Sequence, residues 1–242
     1  MKQINKYICD HFENDKFSIL ERLHINKDTG KQNHHYNYHP KTRDELKELV
    51  KKLIKERGKD ADLNDIDTSK ITDMSELFCR SNFNGDISEW NVSNVKKMDY
   101  MFYWASFTGE NGDISTWDVS SVEDMGNMFY FSSFNGDISK WDVSKVGDMY
   151  CMFYGSMFNG DISKWDVRNA GDMTCMFEKS KFNGDISNWD VSNVINMERM
   201  FCKSKFNGDI SKWDVSNVKN MRDIFCDSPL EKNPPKWYKY YK

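Results

Sequence analysis

The chain has 242 residues and a formal net charge of −4, with 38% hydrophobic and 30% charged residues, a balance that leaves no electrostatic footprint for nucleic acid. A 14% aromatic content, with 16 Phe, 14 Met and 8 Trp, excludes a disordered chain, while 4 Pro and 13 Gly exclude collagen-like and Pro-rich sequences. No apolar run reaches transmembrane length and no hydrophobic block marks a secretory signal, so the default expectation is no membrane insertion and a cytoplasmic location.

Residues 1–60 carry 14 Lys and Arg against 10 Asp and Glu, whereas residues 61–242 carry 20 against 28, so two differently built parts are expected. In residues 1–40, Ile4, Tyr7, Ile8 and Phe12 are spaced for a helix, Leu20 and Leu23 suggest another, and Asn26 to Pro40 reads as a loop. This segment is expected to be a tether, a docking peptide or an extra cap. His34, His35 and His39, together with His11 or His24, are candidate metal ligands, but no supporting framework accompanies them and no metal site is expected. Over residues 41–60, Thr42 to Glu45 forms a capping box, Leu46, Leu49, Val50, Leu53 and Ile54 make one apolar stripe, and Gly58 is a stop signal. The spacing predicts an N-terminal capping helix that covers the first repeat turn.

From residue 61 to 228 the chain repeats a unit reading FNGDISxWDVSxVxxMxxMFxxSx. Trp117, Trp141, Trp165, Trp189 and Trp213 recur at a period of 24, and the step of 27 from Trp90 to Trp117 holds a three-residue insertion within Phe107–Asp113. Ile66 falls in the Trp column one period before Trp90, and Trp237 falls in it after the last full unit. A fixed period of this length predicts a solenoid, here of about seven turns, in which no unit buries its core alone. Within a unit, Ile138 to Val143 predicts a short parallel strand, and Val146, Met149, Met152 and Phe153 have helical spacing, with Ser144 as its N-cap. The predicted class is therefore an α/β repeat solenoid with one short strand and one short helix per turn. Residues 229–242 predict a C-terminal cap: Pro234 and Pro235 remove main-chain donors, and Trp237, Tyr238, Tyr240 and Tyr241 cover the last turn.

The unit, with its Trp-Asp-Val-Ser core and Met-Phe close, resembles the BspA-like leucine-rich repeat surface-protein family over about residues 41–240. The resemblance implies a right-handed, leucine-rich-repeat-like solenoid without catalytic activity, and often a role in adhesion or host contact, with display on a cell or virion surface. It transfers no catalytic or binding residues.

The repeated side chains read as structure. Asp86, Asp113, Asp137, Asp161, Asp185 and Asp209 follow Gly in each full unit; stacked carboxylates suit Ca²⁺, but the spacing is sparser than a calcium loop and the expected role is bonding to their own turns. Asn91, Asp118, Asp142, Asp166, Asp190 and Asp214 form a second such column. Of 6 Cys, Cys151 and Cys175 share one column and Cys79, Cys202 and Cys226 another; ladder disulfides require close helical faces, and reduced thiols near the surface are the expectation. No cofactor is expected, and no nucleophile–base, phosphate-loop or dinucleotide pattern is present, so no enzyme is predicted.

One feature varies between units. After the core Phe come Tyr103 and Trp104, Tyr130 and Phe131, and Tyr154 in three consecutive units, with Tyr100 and Tyr150 nearby and the insertion expected beside them. If they point outward, these aromatics form an exposed stripe, the kind of surface that binds proteins or sugars. The functional expectation is a non-catalytic scaffold mediating protein–protein interaction through this stripe. A glycan- or host-binding adhesin, or a purely structural spacer, are the alternatives.

Overall fold

The tryptophans show first how one unit is fastened to the next. In the computed structural model, which describes residues 36–241, each buried indole N–H donates to a main-chain carbonyl one unit earlier. Trp90 reaches Leu63 O at 2.9 Å, Trp141 reaches Ile114 O at 3.0 Å, Trp165 reaches Ile138 O at 3.0 Å, and Trp237 continues the series onto Ile210 O at 2.9 Å. A buried indole needs an acceptor, and here the acceptor always lies in the neighbouring unit. Beneath them Phe78, Phe102, Phe129, Phe153, Phe177, Phe201 and Phe225 stack ring on ring, with successive centroids 5.4, 5.6, 5.6, 5.7, 5.8 and 6.1 Å apart.

The main chain between these columns differs from the expected strand-plus-helix unit. The segment Ile138–Val143 is not a strand; its Trp141 N–H turns back to Ile138 O at 3.2 Å. The segment from Val146 is not an α-helix, and Ser144 caps none: its N–H donates to Asp142 Oδ1 at 3.0 Å. Residues 149–156 form successive turns, Met152 N–H to Met149 O and Tyr154 N–H to Cys151 O, while the alternate amides of Met149, Cys151 and Phe153 donate to Asp172, Thr174 and Met176 of the next unit at 3.1, 2.9 and 2.9 Å. Positive φ closes these turns at two places in every unit, for example 57° at Tyr100 and 52° at Trp104, or 52° at Cys151 and 61° at Gly155. The turns bring Met149, Met152 and Phe153 inward at spacings of three and one, the same intervals a helix uses, and that is why the pattern reads as helical.

Isolated parallel bridges mark the register: Asp73 to Lys97, Lys97 to Asp124, Asp124 to Asp148, Asp148 to Asp172, Asp172 to Asn196, and Asn196 to Asn220. The longer step from Lys97 to Asp124 shows the insertion looping out without breaking the ladder. Its Thr108 N–H bonds Asn84 Oδ1 at 2.8 Å, so it settles on the Asn-Gly corner of the preceding unit.

The aspartates close short turns. Asp137, Asp161, Asp185 and Asp209 each accept the N–H of the serine two residues on, at 2.8, 2.9, 2.9 and 2.9 Å. These main-chain donors hold the four carboxyls below the ordinary value of 3.8. A carboxyl depressed by folding stabilises the native state above its unfolded pKa and loses that contribution as pH falls through the lower folded value. The melting temperature is therefore expected to hold from about pH 7 to about pH 5 and to fall below about pH 4. Replacing all four by Asn keeps the Oδ1 acceptor, so circular-dichroism melts of that variant are expected to show a weaker acid dependence. Asp124 works in the opposite sense, because burial and then its neighbours Asp99 and Asp148 push it up.

The chain divides into two compact units, Met1–Tyr38 and His39–Lys242. The expected N-terminal helices and four of the histidines, His11, His24, His34 and His35, lie outside the described residues, as does Cys9. His39 bonds Asp67 at 3.3 Å. In the second unit, helix α1 spans Arg43–Arg57; Thr42 caps it by accepting Glu45 N–H, and the Gly58 N–H returns to Ile54 O. Leu46, Val50 and Leu53 are buried, and Arg43 Nε donates to Ser75 O at 2.8 Å, which seats α1 on the first repeat. At the other end helix α2, Pro229–Lys232, and a 3-10 turn, Lys236–Tyr241, come after the last repeat. Trp237 and Tyr238 lie 5.9 and 5.1 Å from Phe225; the side chains of Tyr240 and Tyr241 are outside those described. Among the described residues no helix is long and apolar enough to cross a membrane.

The cysteine expectation is corrected for one pair. Cys202 and Cys226 are joined by a disulfide, with their Cα atoms 4.6 Å apart. The units meet through a main-chain ladder, far closer than the 8–10 Å between packed helices, so equivalent side chains one period apart come within bonding reach. Cys79, Cys151 and Cys175 are free, and Cys151 is buried rather than near the surface.

Candidate functional site

Most columns repeat the same residue, but those around the turns after Met-x-x-Met-Phe do not, and they build one continuous outer face. The column directly after the core Phe places Tyr103, Tyr130 and Tyr154 in a stack, with centroids 4.7 and then 4.5 Å apart. Arg80 Cζ lies 5.9 Å from the Tyr103 ring at one end. Lys179 Nζ lies 5.0 Å from the Tyr154 ring at the other and donates to its hydroxyl at 2.7 Å. Three phenol rings are thus bracketed by two cations, Arg80 over a ring at one end and Lys179 on a hydroxyl at the other. Burial, followed by its two tyrosine neighbours, pushes the Tyr130 phenol up to about 12.

The next column forms a second, more exposed pair. Trp104 and Phe131 lie 4.8 Å apart and remain 53% and 37% exposed. Both sit at positive φ, 52° and 46°, a conformation costing of order 1–2 kcal/mol for a residue with Cβ. The ladder demands that conformation in every unit. The fourth unit meets it with Gly155, and a Cβ there would lie 2.5 Å from the Phe131 ring. The glycine therefore ends the second stack and leaves its space to Phe131. Tyr100 joins the face through Tyr103 at 5.4 Å. Tyr150 is 40% exposed but belongs to neither stack; the adjoining Cys151 pushes its phenol up.

A surface cavity of about 520 Å³ opens on this face, lined by Arg80, Tyr103, Trp104 and Tyr130. Its main chain is already committed: Arg80 N–H bonds Tyr103 O at 2.7 Å and Trp104 N–H bonds Tyr130 O at 2.8 Å. Recognition there rests on rings and on the Arg80 guanidinium over Tyr103, while the carboxylate of Glu76 is taken by Arg43 and Lys47. Arg80 and Lys179 were missed in the sequence, although both occupy the Trp104 column in units where that column is not aromatic.

Beyond the aromatics the same face changes character. Glu178, in the column of the three tyrosines, is buried and forked by Arg199, with Nε and Nη2 at 2.9 and 2.6 Å. Burial pushes that carboxyl up, but Arg199 and the Cys175 thiol outweigh it and hold it below its ordinary value. The carboxylate is paired internally. Among the described residues no group of three His, Cys, Asp or Glu is placed to hold a metal ion.

These features define the class, a repeat protein whose units share one interior and differ on one face. Two overlapping stretches, residues 45–157 and 131–237, match the model of a family described as Mycoplasma protein of unknown function, DUF285, and the chain belongs to that family. No curated protein and no solved structure matches it.

Proposed function

We propose that the repeats form a right-handed, leucine-rich-repeat-like solenoid of the BspA-like kind, and that it acts as a non-catalytic interaction module binding another protein through the aromatic face. The observation that carries this reading is the exposed Trp104–Phe131 pair beside the Arg80 guanidinium, which lies over the Tyr103 ring. Exposed aromatic and arginine side chains in one patch are the residue types that dominate binding energy at protein interfaces. The fitting partner surface offers apolar or aromatic groups together with a carboxylate for Arg80.

The test compares the wild type with Trp104→Ser combined with Phe131→Ser. Both side chains lie on the outer face and not in the core, so the variant is expected to stay folded with a modestly lower melting temperature from the lost ring contacts. Cross-linking capture from cells is expected to yield a protein partner with the wild type and at least a tenfold loss with the variant, each lost contact being worth more than about 1 kcal/mol. Equal capture by both proteins rejects the aromatic face as the site.

A glycan-binding, surface-displayed adhesin is the second reading, favoured by the 53% exposure of Trp104 at the mouth of the cavity. A flat ring open to solvent beside a side-chain-lined cavity suits stacking of a sugar face. Retention of the wild type, and not of the variant, on immobilised oligosaccharides supports it over the protein reading.

A further inference from the structure

Two free cysteines sit one above the other in the middle of the stack. Cys151 and Cys175 are one period apart in the same column, and the ladder runs through them without a slip. Cys151 N–H bonds Thr174 O at 2.9 Å, flanked by Met149 N–H on Asp172 O at 3.1 Å and Phe153 N–H on Met176 O at 2.9 Å. Both residues have positive φ, 52° and 56°, so their side chains leave the backbone in the same direction. The Cys151 thiol is a hydrogen-bonding neighbour of the Cys175 thiol and the largest influence holding it in its neutral form.

We propose that Cys151 and Cys175 form a second disulfide between successive units by exchange with a low-molecular-weight disulfide. The precedent lies further along the same face. Cys202 and Cys226 are also one period apart, bridged by the same ladder, and bonded with their Cα atoms 4.6 Å apart. Cys79 is the contrast, because its column partner one unit on is Tyr103 and not a cysteine.

The chemistry balances with that oxidant alone. Cys175, the more exposed of the two, attacks one sulfur of the small disulfide through the minor thiolate fraction that alkaline pH gives it, so the exchange is slow, and expels the first small thiolate. Cys151, buried behind it, then attacks Cys175 Sγ and expels the second. The two protein thiols are oxidised, one small disulfide is reduced, and the two protons leave on the released small thiols. Tyr100, Tyr150, Glu178 and Arg199 surround the pair; Arg199 is held by Glu178, so the bond can form without breaking that ion pair.

The test incubates the whole chain with oxidised glutathione at mildly alkaline pH, then unfolds it in an alkylating agent and digests it for mass spectrometry. The expected product is a cross-linked peptide pair holding Cys151 and Cys175 and lacking two hydrogens, with Cys79 not cross-linked to either. Cys151 and Cys175 both found alkylated, or Cys175 found as a lasting glutathione adduct beside alkylated Cys151, overturns the proposal. Cys151→Ser supplies an independent readout. Oxidation is expected to raise the urea midpoint of the wild type and to leave that of the variant unchanged, and an equal rise in both also counts against the bond.

Discussion

Phe153→Ala is expected to destabilise the protein by about 3–5 kcal/mol, the range for deleting a buried aromatic ring. The ring is fully buried, at 4.6 Å from Phe158, 5.6 Å from Phe129, 5.7 Å from Phe177 and 6.2 Å from Trp165. Phe129 belongs to the unit before, and Phe158, Trp165 and Phe177 to the unit after, so one truncation opens a gap on both faces of the fourth unit. The site collapses poorly, because the main chain on either side is pinned: Phe153 N–H bonds Met176 O at 2.9 Å and Phe129 N–H bonds Met152 O at 2.9 Å. Urea denaturation followed by far-ultraviolet circular dichroism measures the cost. An unchanged slope with a lower midpoint means that the stack still unfolds as one body, and a reduced slope means that the gap has uncoupled its two ends. A loss below about 1 kcal/mol contradicts a continuous Phe column as the source of stability.

The core columns could be read from the chain because repetition labels them. Phe134, Ile138, Trp141, Val143, Val146, Met149, Met152 and Phe153 are apolar in unit after unit, and all are buried. Their backbone could not be read in the same way. A helix and a train of turns closed at positive φ send side chains inward at the same intervals, and thirteen of the positive-φ positions carry no glycine to announce them. The indole staples were also silent, since a repeated tryptophan reads as bulk and its acceptor is a carbonyl in another unit. On the outer face the aromatics stood out because their columns vary. The two cations that bracket them did not, because Arg80 lies in a first unit whose motif has drifted and Lys179 looks like any solvated lysine. Cys202 and Cys226 were placed in one column, but the distance between columns was judged for packed helices and not for a main-chain ladder.

Loss of the Cys202–Cys226 bond is expected to cost about 3.5 kcal/mol, the chain-entropy value for a closed loop of the 24-residue separation between them. Most of that effect acts through the unfolded chain, since the native pairing survives without it: Phe201 N–H bonds Ile224 O at 2.9 Å and Lys203 N–H bonds Cys226 O at 2.7 Å. The location adds a local effect. The last full unit is the least well covered, Met221 being 8% exposed where its counterpart Met149 is wholly buried, so the bond clamps the unit with the most to lose by fraying. Cys226→Ser is therefore expected to lower the urea midpoint and to speed hydrogen exchange at Phe201 and Lys203 well before it changes exchange at Phe129 or Phe153. The wild type under reductant is expected to reproduce both changes, and the variant under reductant to show no further one. Uniform acceleration across all units instead indicates a stack that opens only as a whole, with the bond acting on the unfolded ensemble alone.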